Sequence, residues 1–357
     1  MKILDWYILK RYLFTFFMML LLFVPIGITV NLAEKIDRIL ENEVPFEEVA
    51  SYYFDFTIYF ATLLFPLFLF LSVIWFTSKL ANNTEIVAFL SSGVSFSRFL
   101  RPYLIGATFV AGLALMLGMY WAPIASKGFN EFTYKYLSNN KVIETHHIHR
   151  QINDHEYIYV SNFDTKAKRG NNFTLEHFEG NKLAYKIHAS VIRYVEKDST
   201  YQLTNYNLRT IGEDEDQLEY SRKKDTIFSF DLQDLTPPMY VAETLTYGEL
   251  LTFIAREEVR GSSNINRYKV VQYKKWSLPV SVFILTIIAV AVSSVKRRGG
   301  MGVNLAFGIV IAMIYVFFDK VFGVMAEQSD FSPLLAVWFP NILFGSLAIY
   351  LLYNAKR

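Results

Sequence analysis

Of 357 residues, 53% are hydrophobic and only 19% are charged, against roughly 25% charged in an ordinary soluble chain, so the composition excludes a simple water-soluble globule. A net charge of +2 without a basic stripe excludes a phosphate-tracking nucleic-acid surface, and the absence of cysteine excludes disulfides and thiolate metal sites.

In chain order, Lys2, Asp5, Lys10 and Arg11 precede an apolar run too long for the core of a signal peptide and lacking a small-residue cleavage site. Six segments have the length and apolarity of a bilayer span: Tyr12–Leu32, Tyr52–Ser78, Tyr103–Pro123, Trp276–Val295, Val303–Met325 and Leu334–Tyr353. In lipid the backbone must satisfy its own hydrogen bonds, so each is expected to be a helix. The basic residues Lys2, Lys10, Arg11, Lys79, Arg98, Arg101, Lys296, Arg297, Arg298, Lys356 and Arg357 all fall on one side if the spans alternate. The acidic residues Glu34, Asp37, Glu41, Glu43, Glu47 and Glu48 fall on the other, outnumbering Lys35 and Arg38. The positive-inside rule then makes both termini cytoplasmic and the long connection after the third span external.

Between the second and third spans, residues 83–93 predict a short cytoplasmic helix. Thr84 is placed to cap it, Glu85 falls in the first turn, and Ile86, Phe89 and Leu90 are expected on one apolar face, with Gly93 as the stop and Arg98 just beyond. Such a helix either rests on lipid or docks a soluble partner.

The external segment reads as all-β. Glu156–Val160, Ala184–Val195, Tyr201–Ile211 and Thr226–Leu232 alternate as half-buried strands do, with turns expected at Asp164–Asn172 and Gly212–Asp216. An antiparallel sandwich or jelly roll is the expected form. Thr246 and Glu249 have capping-box spacing for a helix over residues 247–260 that stops at Gly261. The resulting division is a first transmembrane half, 1–128, an all-β jelly-roll-like domain, 129–245, and a second transmembrane half, 246–357.

Candidate chemistry is sparse. The chain has no phosphate-cradling G-x-x-x-x-G-K-[ST] loop, so ATP-driven work must come from another subunit, and neither G-x-S-x-G nor H-E-x-x-H occurs. His147 and His149 would share one face of a strand, with His146 and His155 nearby. Spacing supplies no third ligand, so the favoured reading is a polar surface strand and no metal is assigned. Asp55, Asp319 and Lys320 lie in or near spans, where a charge either lines a polar cavity or is paired with a neighbouring helix.

Several short motifs then recur in a recognisable order: Leu4-Asp5-Trp6-Tyr7-Ile8, Thr84-Glu85-Ile86, Ser91-Ser92-Gly93, Trp121-Ala122-Pro123, Leu278-Pro279, Arg297-Arg298-Gly299-Gly300-Met301-Gly302 and Trp338-Phe339-Pro340-Asn341. With the three-plus-three topology around an external β-domain, the whole chain resembles the LptF/LptG (YjgP/YjgQ) permeases of the lipopolysaccharide-extracting ABC transporter of the Gram-negative inner membrane, with the Leu-Asp-x-Tyr opening leaning toward LptG. The resemblance implies a non-catalytic subunit with no cofactor of its own, paired with a second LptF/LptG-type permease, either a paralogue or another copy. An LptB-like ATPase dimer would use the ATP, and an LptC-like bitopic protein and a periplasmic bridge would receive lipopolysaccharide from the periplasmic β-domain. It also implies that Asn83–Arg98 is the coupling segment, with Glu85, Ile86, Phe89, Leu90, Gly93 and Arg98 its key residues. Spans one and five would be gates, and Lys35 and Arg38 lie in the region where the family's basic residues meet lipid phosphates; a cavity role for Asp319 and Lys320 rests on their place in the fifth span and not on the resemblance. At Lys35 and Arg38 the chain departs from the family, because Glu34 and Asp37 make the neighbourhood acidic. Three other classes compete: a mechanotransmission-type ABC subunit, disfavoured by six spans; an envelope sensor, disfavoured by the lack of a cytoplasmic output domain; and a membrane enzyme, disfavoured by the lack of a catalytic constellation.

Overall fold

The computed structural model describes residues 3–137, 146–164, 167–195, 200–212, 215–228, 230, 240–262, 264–295, 300–329 and 331–355. The basic residues Lys2, Lys296, Arg297, Arg298, Lys356 and Arg357 lie outside them, as do parts of the expected turns and of the strand expected at Thr226–Leu232. The chain divides into two compact units: Met1–Asn139, Ala242–Leu250 and Asn266–Arg357 form one, and Asn140–Val241 with Leu251–Ile265 form the other.

The first unit is helical. It contains α1 (Ile3–Glu41), α2 (Phe46–Asn82), α3 (Glu85–Ser91), α4 (Phe96–Met116), α5 (Ala122–Phe132), α6 (Val241–Thr244), the start of α7 (Tyr247–Val259), α8 (Ile265–Ser293), α9 (Gly300–Gln328) and α10 (Pro333–Ala355). Among the described residues six helical stretches are long and apolar enough to cross a membrane, so the protein is a multi-pass membrane protein. The helices overrun the expected spans. At 1.5 Å per residue the 39 residues of α1 reach about 58 Å, well past the roughly 30 Å hydrocarbon core.

The third span does not end at Pro123. It runs on through a π-helical turn at Leu117–Trp121, then α5, then a second π-helical turn at Thr133–Leu137. In a regular helix Pro123 would push its ring against the carbonyl four residues back. The wider turn ahead of it, closed by the Ala122 N–H donating to the Leu117 carbonyl, removes that clash and lets the helix continue. At their ends remote from α3, Ile39 of α1 packs with aromatic residues of α2 and α5, where Tyr52 stacks on Phe132 at 4.3 Å between ring centroids.

In the second unit β1 (His146–Gln151), β2 (Glu156–Asp164), β3 (Arg169–Glu179), β4 (Lys182–Val195), β5 (Thr200–Thr210) and β6 (Gln217–Thr226) form one antiparallel sheet in the order β1-β2-β3-β4-β5-β6. The all-antiparallel character is as expected, while the connectivity among the described strands is a meander without a jelly-roll crossover. Ile158, Val160, Phe173, Leu175, Ala189, Ile192 and Leu203 are buried together on the sheet's apolar side. Their register follows the pleat, with Ile158 opposite Leu175 and Phe173 opposite Ala189.

Two expected boundaries shift. The turn expected at Asp164–Asn172 is shorter, because β3 already begins at Arg169; Asn171 pairs with Val191, and Asn172 Nδ2 donates to Ser161 Oγ at 3.2 Å. The last described strand is Gln217–Thr226, not Thr226–Leu232: Ile227 and Phe228 have left it, although Phe228 and Phe230 still pack on the sheet core. Strand β6 hid in the sequence because, among the described residues, it pairs on one side only and carries Glu219, Arg222, Lys223, Lys224 and Asp225.

Candidate functional site

The helix α3 is anchored on one side and open on the other. Ile86, 2% exposed, packs into the core of the helical unit with Phe89 against it, and the Phe89 ring lies 6.4 Å from that of Phe99 on α4. Burying Ile86 anchors this seven-residue helix by about 1.5–3 kcal/mol, where its length alone would not sustain it. Leu90 does not share that face. It is 39% exposed and, with Val87 at 58%, forms an outward apolar surface.

The helix ends as expected. Gly93 has φ +84°; its N–H donates to Leu90 O at 3.1 Å, and the Val94 N–H to Phe89 O at 3.3 Å, the paired bonds of a Schellman stop. Its start differs from expectation. Thr84 sits at φ +62°, and its hydroxyl donates to Asn83 O at 2.6 Å rather than capping the helix. A β-branched residue in the left-handed region is strained, and that conformation turns the hydroxyl away from the helix N–H groups.

The Glu85 carboxylate accepts from two side chains, Asn83 Nδ2 at 3.2 Å and the Tyr7 hydroxyl of α1 at 3.3 Å. Arg98 points inward. Its guanidinium donates to Asp5 of α1 at 2.8 Å, and Asp5 is 4% exposed. Ser95 caps α4 by accepting the Arg98 N–H at 3.3 Å, which sets Arg98 one turn into the helix beneath α3.

The remaining candidates separate into two places. At the far end of α1, Lys35 pairs with Glu34 at 2.6 Å, and the Arg38 guanidinium donates to the Leu137 carbonyl. Both cations are therefore engaged within the helical unit. Asp319 and Lys320 of α9 line a cavity of about 420 Å³ with Lys274, Ser277, Ser281, Tyr315 and apolar residues of α2. Lys274 of α8 donates to Asp319 at 3.0 Å, which offsets part of the cost of placing either charge between spans. Beside this pair a buried chain of hydrogen bonds ties α9, α10 and α8: the Tyr315 hydroxyl donates to Asn341 Oδ1 at 3.3 Å, and Asn341 Nδ2 donates to Ser277 Oγ at 2.6 Å.

Sequence reasoning passed over Lys274 and Lys275 because the fourth span was started at Trp276, whereas α8 begins at Ile265. Lys275 is almost fully buried and donates to Gly118 O at 2.8 Å and Leu245 O at 3.3 Å. The only available signal was two adjacent lysines at a span edge. Glu243 of α6 was also passed over; burial raises its carboxyl pKa against the opposing pull of Arg267, Lys320 and Lys274. In the second unit His147 Nδ1 lies 3.0 Å from the Tyr159 hydroxyl, and the His149 ring is 4.5 Å from that of Tyr159; the His146 side chain lies outside the described part. No cluster of three metal-capable side chains occurs among the described residues.

Compared with known protein families, residues 6–354 match the lipopolysaccharide export system permease LptF/LptG. The chain belongs to that family. No individual curated protein matches it. Membership covers both transmembrane halves and the sheet, so the α1 opening and the α3 segment are parts of one permease architecture, and in this structure they touch. Asp5 meets Arg98, and Tyr7 meets Glu85.

Proposed function

We propose that this permease extracts lipopolysaccharide from the inner membrane and passes it through its periplasmic sheet domain toward a periplasmic bridge. In this reading it works beside a second LptF/LptG-type permease and an LptC-like bitopic protein. An LptB-like ATPase dimer supplies the ATP hydrolysis, and the chain itself catalyses nothing and holds no cofactor. The observation that carries the reading is α3, which is anchored by Ile86, presents Val87 and Leu90 outward and holds Glu85 half-buried in its first turn, as a surface for that ATPase. Lys10, Arg11, Lys79 and Arg101 lie toward the same end of the spans, which favours a cytoplasmic position for α3 and the termini and a periplasmic one for the sheet.

The lipid route is supported by two further features. Among the described residues α1 is the least buried of the six spans and α9 the next, as gates against a partner permease would be. The cavity places Lys320 beside the Lys274–Asp319 pair, a net positive lining for phosphate groups, with apolar walls for acyl chains. Lys35 and Arg38, already engaged by Glu34 and the Leu137 carbonyl, hold the outer end of the α1 gate rather than reach for phosphate. The test is Glu85→Ala in the complex purified with its partner subunits. Loss of ATPase recovery or of lipopolysaccharide release, with the chain still inserted, supports the reading. Retention of both removes α3 as the docking element and the exporter mechanism with it.

A further inference from the structure

The contacts of α1 go beyond docking. Three successive features join α1 to the segment that begins with α3. Tyr7 donates to Glu85 on α3 at 3.3 Å. Asp5, nearly inaccessible, accepts from Arg98 at the start of α4 at 2.8 Å. Farther along, Tyr12 packs so closely on Gly106 of α4 that a Cβ there would lie 2.3 Å from its ring, and Tyr12 and Tyr103 have ring centroids 6.0 Å apart. Ile8, Tyr12 and Phe16, all fully buried, continue the same seam in the core.

These contacts differ in kind. The Gly106 approach and the aromatic seam are packing, which resists separation but tolerates small rotations. The charge-assisted bond from Arg98 to the buried Asp5 carboxylate is directional and stronger than a neutral one, so it resists a change of separation that packing would tolerate. It sits at the one end of α1 that adjoins α3. A displacement of α3 must therefore move α4 through their Schellman-stopped connection, and α4 cannot move without dragging Asp5. The apolar middle of α1 is the least buried among the described spans, while its far end is held by Tyr52 donating to Asn31 and by Arg38 donating to the Leu137 carbonyl, so motion imposed at Asp5 is a displacement of the first turns about that anchored end.

We propose that Asp5 and Arg98, seconded by Tyr7 and Glu85, are positioning residues that make α1 move as one body with α3 and α4, so that a push on the docking helix opens or closes the α1 side of the permease. The proposal rests on the docking reading of α3 given above, and adds the route by which force reaches a gate. The effect of Asp5 and Arg98 is on the ratio of lipid moved to ATP hydrolysed.

The experiment uses the complete complex with its partner subunits in proteoliposomes, reading ATP hydrolysis and lipopolysaccharide release together. Asp5→Asn is expected to keep ATPase recovery and hydrolysis while lowering release per ATP by about five-fold or more, the lower range of ordinary coupling energies. Asp5→Glu retains the charge and is expected to recover most of the ratio, as is the exchanged pair Asp5→Arg with Arg98→Asp. Because the chain has no cysteine, Asp5→Cys with Arg98→Cys can also be joined by a thiol-specific cross-linker. A locked pair that moves as one body keeps the release ratio of the unlocked wild type. The proposal is overturned if Asp5→Asn has a wild-type ratio, or if the lock stops release while hydrolysis continues, since the contact would then have to break in each cycle. If Asp5→Asn does not assemble, the locked pair decides alone. A wild-type complex that hydrolyses ATP but releases no lipopolysaccharide would instead remove the exporter reading, and is distinguishable because no variant is involved.

Discussion

The helical unit and the sheet solve the burial problem in different solvents. In the sheet, Phe173, Leu175 and Leu203 leave water on folding, so the hydrophobic effect drives them together, and the backbone ladder satisfies the polar groups between them. In the helical unit most apolar side chains have lipid as the alternative, which is no less apolar than a neighbouring leucine. Cohesion there comes from close packing, as at Gly106 against Tyr12, and from a few polar bonds between helices. The lesson is that a polar side chain is informative in opposite ways: in the sheet it faces water, whereas between spans it marks a join.

Substitutions of different kinds test that contrast. The largest effect is expected in the sheet core. Phe173→Ala removes a fully buried ring that contacts Phe228 and Phe230, and is expected to cost about 3–5 kcal/mol. Limited proteolysis of the intact chain should then cleave the sheet while the spans stay protected. If the spans fail first, the two units are not separately stabilised. Gly106→Leu in the helical unit overpacks the α1–α4 seam against Tyr12 and is expected to lose about 1–3 kcal/mol, lowering the thermal aggregation midpoint in detergent. An unchanged midpoint would show that α1 can step back into lipid at no cost.

Asn341→Leu cuts both bonds of the Tyr315–Asn341–Ser277 chain and is expected to cost about 1 kcal/mol, since interhelical hydrogen bonds in membranes are modest. A loss as large as that of Phe173→Ala would overturn the view that packing dominates this unit. The smallest effect belongs to Glu249. The hydroxyl and N–H of Thr246 donate to its carboxylate at 2.7 and 2.9 Å and hold its pKa below the usual range. A lowered folded-state pKa gives stability that is present above the unfolded value of about 4.3 and is lost as pH falls through the folded value. The stability gap between wild type and Glu249→Gln should close in acid. A gap independent of pH would assign the effect to packing.

Legibility followed the same divide. The six spans could be read because twenty apolar residues admit few alternatives to a helix, and Gly93 and Gly261 could be read as stops because both adopt positive φ in Schellman turns. The sheet was harder. Strand β3 opens on Arg169, Asn171 and Asn172, the vocabulary of a turn, and β6, at the edge of the sheet among the described residues, carries charges that erase the alternation. At the candidate site Glu85 stood out by its place in the first turn of α3, but the inward orientation of Arg98 did not. Its partner Asp5 is 93 residues away.

The sequence by itself determined that this is a six-span membrane protein with a β-rich insertion and a short helix between the second and third spans. Each of these follows from local composition or spacing, because length, apolarity and turn residues act within a few neighbours along the chain. Only the tertiary structure decided that Asp5 is buried against Arg98, that Tyr7 reaches Glu85, that Lys274 neutralises Asp319, and that Leu90 turns away from Ile86. A charged side chain carries no local mark of the partner it will meet, and which face of a helix is covered depends on the helices packed beside it.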